Sequence, residues 1–299
     1  MPIKLNQTTT VLKNAFRKWR SRDPFKESSV IAYTAIFSLP GLLVVVVTMS
    51  GYFFGPELIT NHIHQNITSV MGAETADQIQ GMILFSMTSK DSLSATILGL
   101  VTMLIGATGV FVQLQKTLNI IWEVETKTEK SGIWKLIRLR LFSFGMILSI
   151  AFVLLISLVI SSFLAASGDW ILRHWGSTMV WLFNILNFAF SFTFISMLFA
   201  AMFKIIPDAD IQWRFVWLGS FLTTLLFMIG KSLLGFYFGT TEPGSGYGTA
   251  GSVILILLWT SYSSMIFFYG AEFTKAYAKE YYGTVPANEI AVKKLGRQV

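Results

Sequence analysis

Apolar residues run along this chain in long blocks that charge does not enter. Stretches free of Asp, Glu, Lys and Arg lie between Glu27 and Glu57, Asp91 and Lys116, Arg140 and Asp169, Arg173 and Lys204, and Glu242 and Glu272. A charge at the bilayer centre costs about 2.5–3.5 kcal/mol on insertion scales, so uncharged runs of this length predict membrane-spanning helices. A sixth block, Phe215 to Thr241, is interrupted only by Lys231, whose stem is long enough to snorkel from near a helix end. The pattern predicts an all-α polytopic membrane protein. Six transmembrane helices fall at about 29–55, 92–115, 141–167, 175–203, 215–240 and 247–271, within a domain over 29–281. A basic segment precedes it over 1–28 and a tail follows over 282–299.

Charge then orients the bundle. Twenty of the 23 Lys and Arg fall in the N-terminal segment, the second and fourth connections and the C-terminal segment. Only Lys90 and Arg173 lie on the other side, and Lys231 lies within a span. Lys and Arg concentrate in cytoplasmic loops, so both termini are expected in the cytoplasm. The same rule accounts for the net charge of +7 without invoking nucleic acid.

The segments outside the spans carry patterns of their own. Val11, Leu12, Ala15, Phe16 and Trp19 recur at helical spacing among basic residues, which predicts a short amphipathic helix that anchors at the interface or binds a partner. The outer connection from Glu57 to Asp91 is acidic and holds two short apolar stripes. His62 and His64 in it form an HxH pair without a nearby third ligand. After the second span, an amphipathic continuation through Leu118, Ile121 and Trp122 is expected to turn near Ser131 and Gly132. Pro207 ends the fourth span, and Asp208 and Asp210 in the following turn read as a solvated charge cluster.

Composition narrows the function classes. With 53% hydrophobic and 13% charged residues and a mean hydropathy of +0.60, the chain has about half the charge of a soluble domain. It has no cysteine and three histidines, so thiolate chemistry and cysteine metal sites are excluded. Neither a phosphate loop of the GxxxxGK[ST] type nor an HExxH pattern occurs. No catalysis, metal or cofactor is expected.

Polar and irregular positions within the spans become the candidates for a substrate path or gate. Lys231 either snorkels or faces a cavity as a cationic site. Glu272 is either an ordinary interfacial acid beside Lys275 or a titrating group in a cytoplasmic vestibule. Gln113, Gln115 and Asn119 need partners, because an unpaired amide in hydrocarbon costs several kcal/mol. Tyr33 precedes the kink expected at Pro40. The glycine-rich run from Gly235 to Gly251, with Tyr247 and Gly248, reads either as a flexible gate or re-entrant turn, or as a tight turn and helix start.

Several of these segments resemble the YihY/BrkB family of bacterial inner-membrane proteins. The resemblance rests on Ala32-Tyr33-Thr34-Ala35-Ile36-Phe37-Ser38-Leu39-Pro40, Gly106-Ala107-Thr108-Gly109, Gln113-Leu114-Gln115, Leu118-Asn119-x-x-Trp122 and Ile206-Pro207-Asp208 with Trp213. It continues through Gly230-Lys231, Tyr247-Gly248-x-Ala250-Gly251-Ser252, Leu258-Trp259 and Gly270-Ala271-Glu272-Phe273-Thr274-Lys275-Ala276-Tyr277, in order over about Asp23 to Tyr281. Where members often carry a second tyrosine, this chain has Thr34. The resemblance implies a six-helix inner-membrane fold. Members have been called virulence or serum-resistance factors and, under an older label, ribonuclease BN; movement of lipids or lipopolysaccharide precursors is suspected for some. The residues favour a transporter-like protein for an anionic or amphipathic envelope lipid, acting without its own ATPase. A non-transporting envelope scaffold is the alternative, and a ribonuclease finds no supporting residues. Membrane lipids are the expected partners, and homo-oligomerisation is left open.

Overall fold

The structure is a computed structural model that describes residues 5–38, 109–126, 188–241 and 251–283, with short stretches at 60–61, 64–65, 67–68, 73, 76–77, 80–81, 145, 185, 243–244, 246–247, 286 and 291–293. The described backbone is mostly helical. Helix α1 is Leu5–Ser21, α2 covers 24–38, α3 covers 109–122, α4 is Phe188–Ile205, α5 is Trp213–Thr241 and α6 is Gly251–Tyr282. A two-stranded antiparallel sheet joins β1, Val124–Thr126, to β2, Ala291–Lys293, with Glu125 opposite Val292. Among the described residues, three helices are long and apolar enough to cross a membrane: α4, α5 and α6. The spans expected near 29–55 and 92–115 are described only over 29–38 and 109–115, and that at 141–167 only at Gly145.

Helix α5 shows why these segments suit lipid rather than water. Its buried face carries Gly219, Ser220, Thr223 and Thr224, whereas Trp217, Phe221, Leu225, Ile229, Leu233 and Phe236 are exposed at near-helical intervals. Small and hydroxylated residues inside and large apolar residues outside are the inverse of a soluble helix; they let backbones approach while lipid solvates the periphery.

That approach is tight where α5 crosses α6. A Cβ on Gly219 would lie 1.7 Å from Thr274 Oγ1, and one on Gly270 would lie 1.8 Å from Thr223 Oγ1. Each threonine covers a glycine of the opposite helix while donating its hydroxyl hydrogen to a carbonyl one turn back in its own: Thr223 to Gly219 O and Thr274 to Gly270 O, both at 2.7 Å. Two Gly-x-x-x-Thr segments thus interlock reciprocally. Higher along the pair, Gly230 receives Tyr262 and Ile266.

At the charged end of the bundle, α3, α4, α5 and α6 share one apolar core. It includes Leu118, Ile121, Trp122, Phe203, Phe215 and Phe267, with the Phe203 and Phe267 rings stacked at 4.9 Å. Helix α6 has 32 residues, about 48 Å at 1.5 Å per residue, against a hydrocarbon core of about 30 Å. Its last turns carry Glu272, Lys275, Lys279 and Glu280, the charged part of a helix longer than such a core is thick.

Four expectations change. The apolar stripe of α1 does not lie free on an interface: Val11 and Ala15 are buried against Phe273 of α6, and Trp19 Nε1 donates to Met265 O at 3.1 Å. Helix α3 does not continue towards Ser131; it ends at Trp122, because Glu123 turns into the left-handed region with φ 57. Gly235 and Gly239 belong to α5 rather than to a flexible loop, since the backbone stays helical to Thr241, where both terminal threonines bond back to preceding carbonyls. The C-terminal segment is not a plain tail, for β2 pairs with β1 and Asp210 N donates to Pro286 O at 3.1 Å.

Candidate functional site

The helix ends place acids and amides in two polar layers. In the first, Gln113 and Thr117 stand one turn apart on α3 and both donate to Glu27 Oε2 of α2, at 2.9 and 2.8 Å. Gln115 and Asn119, one turn apart on the same helix, donate to the two carboxylate oxygens of Asp208 at 3.1 and 2.9 Å. Asp208 N returns a bond to Asn119 Oδ1 at 2.8 Å. Every amide of this set thus has a carboxylate partner, as groups withdrawn from water require. Asp208, expected in a solvated cluster, is only 4% exposed, because the turn after α4 folds in against α3. Asp210 stays outside and pairs with Lys204 at 3.0 Å.

The second layer is ionic. Arg22, in the turn between α1 and α2, places Nε 2.6 Å from Glu272 Oε1 and Nη2 3.6 Å from Glu123 Oε1, and Nη1 donates to Ile120 O. Lys275 Nζ lies 2.6 Å from the same Glu123 oxygen. Glu272 is 2% exposed, and the cation in direct contact with it is Arg22, 250 residues away, rather than Lys275, its neighbour in sequence. The Nε contact is close but not aimed as a hydrogen bond. Glu123 feels opposing influences: burial raises its carboxyl, while the bond and charge of Lys275, helped by Arg22 and Lys18, outweigh burial and hold it below the usual carboxylate range.

Beside this layer, α1 and α6 leave a pocket of about 370 Å³. Asn14, Ala15, Arg17 and Lys18 form the α1 wall; Glu272, Lys275, Ala276, Lys279 and Glu280 form the α6 wall, and Glu123 closes one side. The α6 positions are spaced three and four residues apart, so they share one helical face. On the other side of Arg22, a hollow of about 30 Å³ between Trp19, Glu27, Thr117 and Phe268 has the volume of about one water.

The remaining candidates lie elsewhere. Lys231 is on the exposed face of α5 and lines neither cavity. Tyr33 is 65% exposed and meets Phe37 edge to face. Tyr247 is exposed in the α5–α6 connection, and its N–H donates to Gly244 O at 3.0 Å. Gly251 is needed where the chain closes on itself, since a Cβ there would sit 2.6 Å from Gly244 O. Pro40 and Gly248 lie outside the described residues, as does His62; His64 pairs with Asp77 at 2.7 Å. Of the candidates, Gln113, Gln115, Asn119 and Glu272 thus gather at one end, and Lys231, Tyr33 and Tyr247 do not join them. Arg22, Arg17, Lys18, Lys279 and Glu123 were not foreseen. The signal available for them was the 272-275-276-279-280 stripe beyond the last apolar run.

The chain matches the family model described as virulence factor BrkB over residues 15–293. It is 22% identical over 264 residues to the ribonuclease-like protein YfkH of Bacillus subtilis (strain 168), covering 87% of this chain and 92% of that one. A UPF0761 membrane protein of Tolumonas auensis is 25% identical over 264 residues, with 86% of this chain and 82% of the relative covered. A UPF0761 membrane protein of Saccharophagus degradans is 23% identical over 278 residues, 90% of this chain and 60% of that longer relative. No solved structure matches the chain.

Proposed function

The chain belongs to the BrkB family of membrane proteins, and we propose that it acts as a transporter-like or lipid-translocating protein of the bacterial cytoplasmic membrane. In this reading the bundle has six spans, both termini lie in the cytoplasm, and movement depends on a gradient, a partner or equilibration. The observation that carries it is the charged pocket between α1 and α6, about 370 Å³ in volume and lined by Glu272, in a chain otherwise so poor in charge. A concave recess with several convergent ionisable groups, formed where membrane-spanning helices end, is a place where a charged substrate group can be received. Such a pocket suits the polar part of an amphipathic molecule whose tail remains in lipid.

A scaffold is the second reading, and it draws on the first polar layer. Gln113, Gln115, Thr117 and Asn119 are all engaged by Glu27 and Asp208, as in a network whose task is to fasten helices. The ribonuclease-like name belongs to the Bacillus relative; for this chain we propose no enzymatic activity.

Proteoliposomes separate the readings. Purified protein reconstituted with fluorescent anionic and zwitterionic lipids is expected to accelerate loss of inner-leaflet protection from a membrane-impermeant quencher. Glu272→Gln is expected to slow it by about tenfold, the effect of removing one charged interaction of about 1.5 kcal/mol, with Lys231→Ala nearly unchanged. No acceleration by folded wild-type protein across these lipids sinks translocation and leaves the scaffold.

A further inference from the structure

The pocket between α1 and α6 is unbalanced in charge once its internal pairs are taken out. Glu272 is engaged by Arg22, and Glu123 by Lys275 and Arg22. Among the described residues that leaves Arg17, Lys18 and Lys279 on the walls without a carboxylate ion pair within 4 Å, Lys18 acting on Glu123 only from a longer distance, against the single acid Glu280. Arg17 is partly held in place, its Nη2 donating to Asn14 Oδ1 at 3.3 Å. Lys18 and Lys279 also stand in the last turns of their helices, where a cation offsets the helix dipole. That role is met by a lysine pointing anywhere over its own helix end, whereas these two converge from different helices on one cavity. Ala15 and Ala276, one from each wall, are the small residues of the lining. At about 370 Å³ the cavity is roughly twelve times the share of one water, about 30 Å³, and lies at the small end of ligand pockets, about 300–1,000 Å³.

We propose that this pocket is a binding site for a phosphate-class anion, a phosphomonoester or phosphodiester group held by Arg17, Lys18 and Lys279. An excess of two positive charges spread over three separate donors matches a tetrahedral, multiply charged acceptor better than a lone carboxylate, which one Arg fork satisfies. Asn14 supplies a neutral amide at the rim. The anion has two sources, a lipid headgroup or a soluble phosphate. The assignment is independent of translocation, since a protein that binds the group and never moves it fits equally well.

The test uses the full chain in neutral detergent micelles and three probes: inorganic phosphate, short-chain phosphatidic acid and short-chain phosphatidylcholine. Binding is read by titration, and in parallel by protection of Lys18 and Lys279 from amine acylation, located by mass spectrometry. Phosphatidic acid is expected to bind and to protect both lysines, with phosphatidylcholine much weaker. Binding of inorganic phosphate with the same protection identifies the anion alone as sufficient; binding of phosphatidic acid only identifies a lipid headgroup. Lys18→Gln combined with Lys279→Gln is expected to weaken binding by at least about tenfold, since hydrogen bonds to a charged group are the strong ones, while Lys231→Gln leaves it unchanged. The proposal is overturned if neither anionic probe protects the lysines of the wild-type protein, or if phosphatidylcholine binds as well as phosphatidic acid. It is overturned equally if the folded double variant binds like the wild type, or if Lys231→Gln loses as much. The acylation measurement needs no variant, so a misfolded double variant does not blunt the test.

Discussion

Helix α6 takes part in two unlike contacts within about three turns. At Gly270 and Thr274 it meets α5 through hydroxyls and bare Cα atoms, with no charge and no room to spare. At Glu272, Lys275, Ala276 and Lys279 the same stretch faces α1 across a cavity walled with charge. The first contact is specified by what is missing, two side chains whose absence lets the helices close. The second is specified by ions that must find each other across the chain: Arg22 and Glu272 are 250 residues apart. One helix can serve both because residues two apart point to different faces. A dry crossing therefore acts as a rigid support for a wet, charged recess beside it.

The charged contact is most vulnerable at Arg22. Arg22→Met leaves Glu272, 2% exposed, as a buried acid without its nearest cation. Losing one partner of a buried pair costs about 3–5 kcal/mol; with the Arg22 side chain itself 22% exposed, the low end of that range is expected. Thermal unfolding in detergent should show a lowered midpoint, largely restored by adding Glu272→Gln. If Arg22→Met alone leaves the midpoint in place, the ion pair does not support this end of the bundle.

The tight crossing should respond to the addition of a single carbon. Gly219→Ala puts a methyl where Thr274 Oγ1 would be 1.7 Å away, so the helices must part or Thr274 must turn; overpacking of this kind costs about 1–3 kcal/mol. Combining Gly219→Ala with Thr274→Ala should cost less than the sum of the two, because the hydroxyl and methyl that block the added carbon are gone. Strict additivity in unfolding midpoints would show that the two residues do not touch.

These two regions also differ in how far the sequence betrays them. The extent of α5 follows from hydropathy: a span at 215–240 was expected and Trp213–Thr241 is found. Helix α1 follows from the spacing of Val11, Ala15 and Trp19. Helix α6 outlasts its apolar run by some eleven residues because a charged stripe at helical spacing continues it, a period that hydropathy averages away. The crossing is legible in principle, since Gly219-x-x-x-Thr223 and Gly270-x-x-x-Thr274 repeat one pattern, but nothing local says that the two face each other. The charged recess is least legible. Arg22 looks like one more cytoplasmic cation, and Glu272 looks paired with Lys275, until α1 folds back along α6 and brings a distant guanidinium to the buried acid. Lys231 is the opposite case: a lone charge within an apolar run is conspicuous in the sequence, and its side chain is exposed and lines neither the recess nor the smaller hollow.

Acid weakens the charged contact slightly, through Glu123. Glu123 is half-exposed and its carboxyl is held below the usual range, since burial is outweighed by Lys275, Arg22 and Lys18. A carboxyl depressed by folding binds fewer protons in the folded chain than in the unfolded one. Its contribution is therefore complete above the unfolded value, about 4.3 for Glu, and is lost as pH falls through the folded one. For a partly exposed pair that contribution is on the order of 0.2–1 kcal/mol. The difference in unfolding midpoint between wild type and Glu123→Gln should thus be level from pH 7 to about 5 and should shrink below about 4.3, where the wild-type carboxylate is neutralised. Taking the difference removes the other titrating groups, which both proteins share. A gap that widens on acidification would mean that Glu123 is held protonated rather than ionised, and that Lys275 does not rely on it.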